Sequence, residues 1–186
     1  FYRDKIHANI PSLYFWRYAI HEVLNRDFEA PLYCTKDIIC HHFQNTNTSR
    51  KNYLDLLELE YKENPDARNL YNYARELYIY ERYEEALEIF KEYHKVTKNV
   101  NEKAHAYLLM GHCEFFLENN GSAQRYYKQS IDAAPYFRMA YLELANLSLI
   151  KKDYVAALQL INQALSIKER HLLFTEDESA WVEKPF

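Results

Sequence analysis

Two glycines and five prolines are all the backbone breakers that 186 residues contain. With so few of them, and with Glu, Lys, Arg and Gln supplying much of the polar content, the chain is expected to be helical. Basic charge is also short: the net charge is −4 and the isoelectric point about 6.1. That leaves no basic stripe and argues against nucleic acid as a partner. No stretch approaches the run of roughly 20 apolar residues that spans a membrane. Cysteine is limited to Cys34, Cys40 and Cys113, an odd and scattered set. It excludes a disulfide framework and suits a reducing compartment, so a cytoplasmic location is expected, with these thiols as buried small residues.

What the chain has in quantity is aromatic residues, 16 % of the total, with 18 tyrosines. A surface of tyrosines suits sugar stacking or sticky binding, but most of these fall at helix-packing positions. A register of small residues runs through the same region: Ala74 then Ala86, Gly111 then Ala123, Ala145 then Ala157. Within each pair the spacing is 12, and the second members lie 37 and then 34 residues apart. Bulky residues stand four before the first small one (Leu70, Tyr107, Tyr141) and four after the second (Phe90, Tyr127, Ile161). Small side chains let two antiparallel helices approach, and bulky ones a turn away fill the space around the crossing. Ala134-Pro135 ends one helix and opens the next. Thr97-Lys98-Asn99-Val100-Asn101-Glu102 reads as an extended polar turn that accounts for the longer first interval.

This register resembles the tetratricopeptide helix-turn-helix repeat, whose period is 34 residues. The resemblance covers 67–168 in three units, 67–103, 104–137 and 138–168, with 49–66 as a connecting helix. In solenoids the concave face is the usual ligand surface. Its expected lining comes from the first helix of each unit: Asn69, Asn72, Tyr73, Glu76, His105, Leu109, His112, Arg138, Glu143 and Asn146. His94, His105, His112 and His171 lack metal-like mutual spacing, and all four are expected to be structural. Glu81-Arg82-Tyr83-Glu84-Glu85 reads either as a docking patch or, more plainly, as the solvated face of a second helix.

Residues 1–48 have another texture. Ile10 to Ile20 and Leu32 to Cys40 read as strands or extended segments, with His21-Glu22-Val23-Leu24 and a turn from Asn25 to Pro31 between them. The order Phe1-Tyr2-Arg3, Ile20-His21-Glu22-Val23-Leu24, Asp37-Ile38-Ile39-Cys40-His41-His42, then Ser49 to Leu57 running into the repeats, resembles the end of the catalytic domain in family 2 glycosyltransferases of GT-A fold that carry tetratricopeptide tails. The implied architecture is mainly α, a helical solenoid of about three helix-turn-helix units plus flanking helices, preceded by a short α/β remnant of the GT-A domain. The resemblance implies a nucleotide-sugar donor, a protein, peptide or glycan acceptor, and a divalent metal, Mg or Mn, neutralising the leaving diphosphate.

Under that resemblance Glu22 is the acceptor base or orients the acceptor, and His21 approaches the diphosphate or the metal. The plainer reading is that His21-Glu22 opens a helix, with Glu22 favoured by the dipole. One of His41 and His42 is a candidate metal ligand, set against a surface or packing role; Arg3 and Arg17 meet phosphate or simply solvent. The nucleotide-binding region and acidic metal motif are not among these 186 residues, so the piece alone is expected to be inactive. Two functions follow: the tail of a glycosyltransferase whose repeats engage the acceptor or a second subunit, or a repeat scaffold for protein-protein interaction without catalysis. The same enzyme fold acting on a cell-wall or phage glycan differs only in substrate. The start at Phe1 and the late Trp181 lead to an expectation of a longer protein, with 169–186 beginning a further helical pair and apolar surface left for it, through which the piece self-associates.

Overall fold

The computed structural model describes residues 14–17, 23–26, 53–168 and 180–181. The chain divides into two units, Phe1–Asn64 and Pro65–Phe186. In the first, β1 (Tyr14–Arg17) pairs antiparallel with β2 (Val23–Arg26), with Tyr14 opposite Arg26 and Arg17 opposite Val23. The helix α1 (Tyr53–Glu63) closes this unit. Two expectations are corrected here. Val23-Leu24 belongs to a strand and does not continue a helix opened by His21-Glu22, and Asn25-Arg26 extends that strand where a turn was expected. The ladder to Tyr14 and Phe15 satisfies backbone groups that a turn would leave to solvent. His21 and Glu22 lie in the connection 18–22, and Leu32 to Cys40, His41 and His42 lie further on; all are outside the described residues, as is His171.

The second unit consists, among the described residues, of six helices in three pairs: α2 (Ala67–Ile79) with α3 (Tyr83–Val96), α4 (Val100–Phe116) with α5 (Asn120–Ala133), and α6 (Arg138–Ile150) with α7 (Tyr154–Ser166). Successive pairs stack, α3 on α4 and α5 on α6. This is a helical solenoid of stacked helix-turn-helix pairs. All six small residues of the register are buried at the helix crossings. At Gly111 the demand is strictest, because a Cβ there would overlap the ring of Tyr127, which lies across α4. At the same 16-residue spacing stand Ala74 and Phe90 in the first pair and Ala145 and Ile161 in the third. Ala104, Leu108, Ala123, Phe137, Ala140 and Leu144 join Tyr127 in one apolar core, and the Ser130 hydroxyl donates to the Ala104 carbonyl at 2.7 Å.

Each pair turns on three residues, and the middle one is always left-handed: Glu81, Glu118 and Lys152 have φ of 61°, 63° and 61°. The residue after each returns a backbone hydrogen bond to the preceding helix, Arg82 to Leu77, Asn119 to Glu114 and Asp153 to Ser148, at 2.8–2.9 Å. Carbonyls orphaned at the helix end are thereby satisfied. Glu81 and Arg82 therefore belong to a turn, and only Tyr83-Glu84-Glu85 opens the second helix. Arg82 ion-pairs with Glu85 across that start.

The extra residues of the first interval do not lengthen a loop. α4 begins at Val100, and Asn99 caps it by accepting from the backbone N–H groups of Asn101 and Glu102 at 3.1 and 3.3 Å. The polar run expected to be a turn is half helix, because Asn is a strong cap and Glu102 sits favourably in the first turn. α4 is accordingly 17 residues long where α2 and α6 have 13, and the boundary expected at 103 falls inside it.

Candidate functional site

The first helices α2, α4 and α6 lie in order along one side of the stack, joined by side chains from one to the next. Tyr71 on α2 reaches His105 on α4, Tyr78 reaches His112, and His112 reaches Glu143 on α6. Near their C-terminal ends they enclose a pocket of about 300 Å³. Tyr78, Phe115, Phe116, Tyr127, Leu147 and Ile150 form its apolar lining, and His112, Glu143 and Asn146 its polar side. Phe116 and Ile150 stand 52 % and 56 % exposed at its mouth, and Ile79, in the same repeat position on α2, is 48 % exposed. An apolar row at one register position of every first helix is a feature of the repeat, and it faces water.

The polar groups form a chain. His112 Nδ1 lies 3.4 Å from the Tyr78 hydroxyl and Nε2 lies 3.5 Å from Glu143 Oε1. Asn146 Nδ2 donates to Glu143 Oε2 at 3.4 Å. Burial pushes the Glu143 carboxyl upward, but hydrogen bonding and charge from His112, with the Asn146 bond, outweigh it and hold it below the ordinary value. Glu143 is thus ionised at neutral pH, with His112 Nε2 facing it and His112 Nδ1 facing the Tyr78 hydroxyl. Burial raises the Tyr78 and Tyr127 hydroxyls, and the charge of Glu143 adds to both. Cys113, beneath the pocket, is fully buried and its thiol is pushed up to about 12, chiefly by burial. It is a packing residue and no nucleophile at neutral pH.

The links in this Tyr-His-Glu chain are all at the outer limit of hydrogen bonding. It ends on a tyrosine whose proton is harder to remove than usual, so it is a poor acid-base relay. Among the described residues no cluster of His, Cys, Asp and Glu is arranged to hold a metal ion, and no helix is long and apolar enough to cross a membrane. The arrangement is a small aromatic receptacle with one carboxylate on its wall.

Of the expected lining residues, the structure brings His112, Glu143 and Asn146 together in this pocket. Asn72 lies half-buried elsewhere on α2, and Leu109 is buried. Asn69, Tyr73 and Glu76 are 2 %, 5 % and 1 % exposed, so they present nothing to a ligand in solution. His105 is packed between Tyr71 and Phe137, with ring centroids 6.2 Å from each, and serves the stack.

Arg138 is also corrected, from ligand contact to internal clamp. Its Nε and Nη2 donate to the carbonyls of Ala164 and Ile167 at the end of α7, at 3.0 and 2.6 Å. Nη1 donates to the Ala180 carbonyl at 2.9 Å, and the guanidinium lies 3.9 Å from the centre of the Trp181 ring. One side chain therefore caps α7 and holds Ala180 and Trp181. On α7, Tyr154, Val155, Leu158 and Leu165 are exposed.

Tyr78, Phe115, Phe116, Tyr127, Leu147 and Ile150 were not anticipated as lining. The signal for the rim was available: Ile79, Phe116 and Ile150 keep the 37- and 34-residue intervals of the small register.

No family model matches the sequence, and no curated protein matches it. Solved structures do resemble the fold. A crystal structure of MamA aligns with a TM-score of 0.55 at 15 % identity, over 68 % of this chain and 77 % of that one. A structure described as the functional characterization of Pseudomonas aeruginosa pilF gives 0.54 at 22 % identity, over 63 % and 53 %. MamA MSR-1 C2 gives 0.53 at 16 %, over 63 % and 66 %. The alignment spans about half the length of the pilF chain and just under two thirds of MamA MSR-1 C2. At such identities the likeness is one of fold, the helical solenoid. It lends no support to a glycosyltransferase reading of the N-terminal segment.

Proposed function

We propose that this chain is a non-catalytic interaction scaffold whose first-helix face holds a peptide segment of a protein partner in the pocket between α2, α4 and α6. The observation that carries this reading is the pocket's construction. Apolar side chains at one register position stay about half exposed beside a preformed cavity, Phe116 while also stacking on Tyr83 with ring centroids 5.1 Å apart. Rows of rigid aromatic and aliphatic anchors around a cavity are what peptide grooves present. The helices behind them are held by close packing, so little ordering cost falls on binding.

The glycosyltransferase reading draws on 1–48. Its acceptor base Glu22, its His21, its metal ligands His41 and His42 and their Mg or Mn ion all attach to positions outside the described residues. The scaffold reading uses none of them.

A random heptapeptide library displayed on phage and selected against the 186-residue chain tests the proposal. Selected peptides should lose at least about tenfold in affinity for a Phe116→Ser/Ile150→Ser double variant. Since both side chains are largely exposed, its helical circular dichroism should match the wild type. Undiminished binding to that variant would rule out the pocket as the docking site.

A further inference from the structure

We infer that the pocket is built to receive a basic side chain, arginine in preference to lysine, from that peptide; the inference rests on the scaffold reading above. Glu143 is ionised and 25 % exposed, set among aromatic rings, and among the described residues no lysine or arginine lines the pocket to neutralise it. Its two partners hold it at 3.5 and 3.4 Å, whereas the exposed Glu85 is gripped by Arg82 at 2.5–2.6 Å. A carboxylate with loose partners in a partly desolvated place is one that a closer cation stabilises.

The walls suit the same ligand. Phe116 is 52 % exposed at the mouth, with one side of its ring stacked on Tyr83, and the half-buried Tyr78 lines the pocket from α2; cations are drawn to aromatic faces of this kind. The chain uses this contact elsewhere, where the Arg138 guanidinium sits 3.9 Å from the Trp181 ring centre. A guanidinium is flat enough to lie on a ring while its fork reaches a carboxylate edge, which an ammonium does not do. About 300 Å³ accommodates one long side chain.

The competing occupants fare worse. An acidic side chain meets the charge of Glu143 in a region where it is poorly screened. A leucine or phenylalanine would strip water from Glu143 and give nothing back. The overall charge of −4 further favours approach by a basic segment.

The test titrates capped pentapeptides Ala-Ala-X-Ala-Ala into the 15N-labelled 186-residue chain and follows the amide signals of His112, Phe116 and Asn146. X is arginine, lysine or citrulline, the last an uncharged isostere of arginine. Arginine should bind at least about fivefold more tightly than citrulline and more tightly than lysine, and Glu143→Gln should erase the arginine-citrulline difference. Equal binding of arginine and citrulline to the wild type, or a difference that survives Glu143→Gln, would overturn the inference. Library peptides that bind at Phe116 and Ile150 without enrichment in basic residues would overturn it while leaving the scaffold reading intact. Failure of any peptide to bind there would sink both.

Discussion

The Tyr71 hydroxyl and Nδ1 of His105 share a hydrogen bond of 2.6 Å, across 34 residues of chain, that fastens the first helix of one repeat to the first helix of the next. Burial, aided by the charges of Arg75 and His112, lowers His105 to about 3. His94, stacked on Tyr107 with centroids 3.9 Å apart and with both ring nitrogens buried, is lowered by burial and by Lys103 to about 4.

Folded rings that resist protonation leave the unfolded chain binding more protons as pH falls below its own value near 6.5. Their contribution is complete above pH 6.5. It is lost on acidification toward 4 and then 3, at a slope approaching about 1.4 kcal/mol per pH unit for each ring. Urea unfolding at a series of pH values should therefore show stability falling steadily below pH 6.5. His94→Gln should make the fall shallower; an unaltered slope in that variant would remove His94 from the account.

Gly111 and Tyr127 form a matched pair, and the match predicts a reciprocal rescue. Gly111→Ala should destabilise by about 1–3 kcal/mol, because the new methyl meets the Tyr127 ring in a packed core. Adding Tyr127→Leu should recover part of that loss relative to Tyr127→Leu alone. Strict additivity of the two changes in a denaturant cycle would show that the ring does not set the size limit at 111.

Arg138 ties the carbonyls of Ala164, Ile167 and Ala180 together from a nearly buried position. Arg138→Ala should cost about 2–4 kcal/mol, since three charged hydrogen bonds to backbone carbonyls are lost together. The loss should be local, appearing in hydrogen exchange as faster opening of α7 with α2 and α3 unaffected. Uniform acceleration through all six helices would contradict the clamp.

The left-handed turn residues carry a cost that glycine would not. Glu118→Gly is expected to raise stability by about 0.5–1 kcal/mol, the relief of backbone strain exceeding the added flexibility of the unfolded chain. A drop in the denaturant midpoint would mean that the Glu118 side chain holds the turn in a way its backbone does not show.

The small residues made the helical stack legible because two helices cannot cross closely without them, and that demand leaves a mark on the sequence at each repeat. The start of α4 was hidden: apart from Val100, Thr97 to Glu102 is polar, and polarity does not distinguish a loop from a capped first turn. Arg138 has the phase of a groove residue, and nothing local reveals that its long side chain reaches carbonyls 26 and 29 residues further on. In the pocket, His112, Glu143 and Asn146 were legible from helical phase. The aromatic walls were not, since a tyrosine or phenylalanine at a helix end reads equally as packing, and the six buried crossings made packing the natural reading.

The central claim is that the face formed by α2, α4 and α6 binds a partner's peptide, and an amide-shift map with one selected library peptide tests it most directly. The account predicts shifts concentrated at Tyr78, His112, Phe116, Asn146 and Ile150, saturating together with a single dissociation constant. Shifts confined to the exposed side of α7, at Val155, Leu158 and Leu165, with the pocket silent, would contradict it.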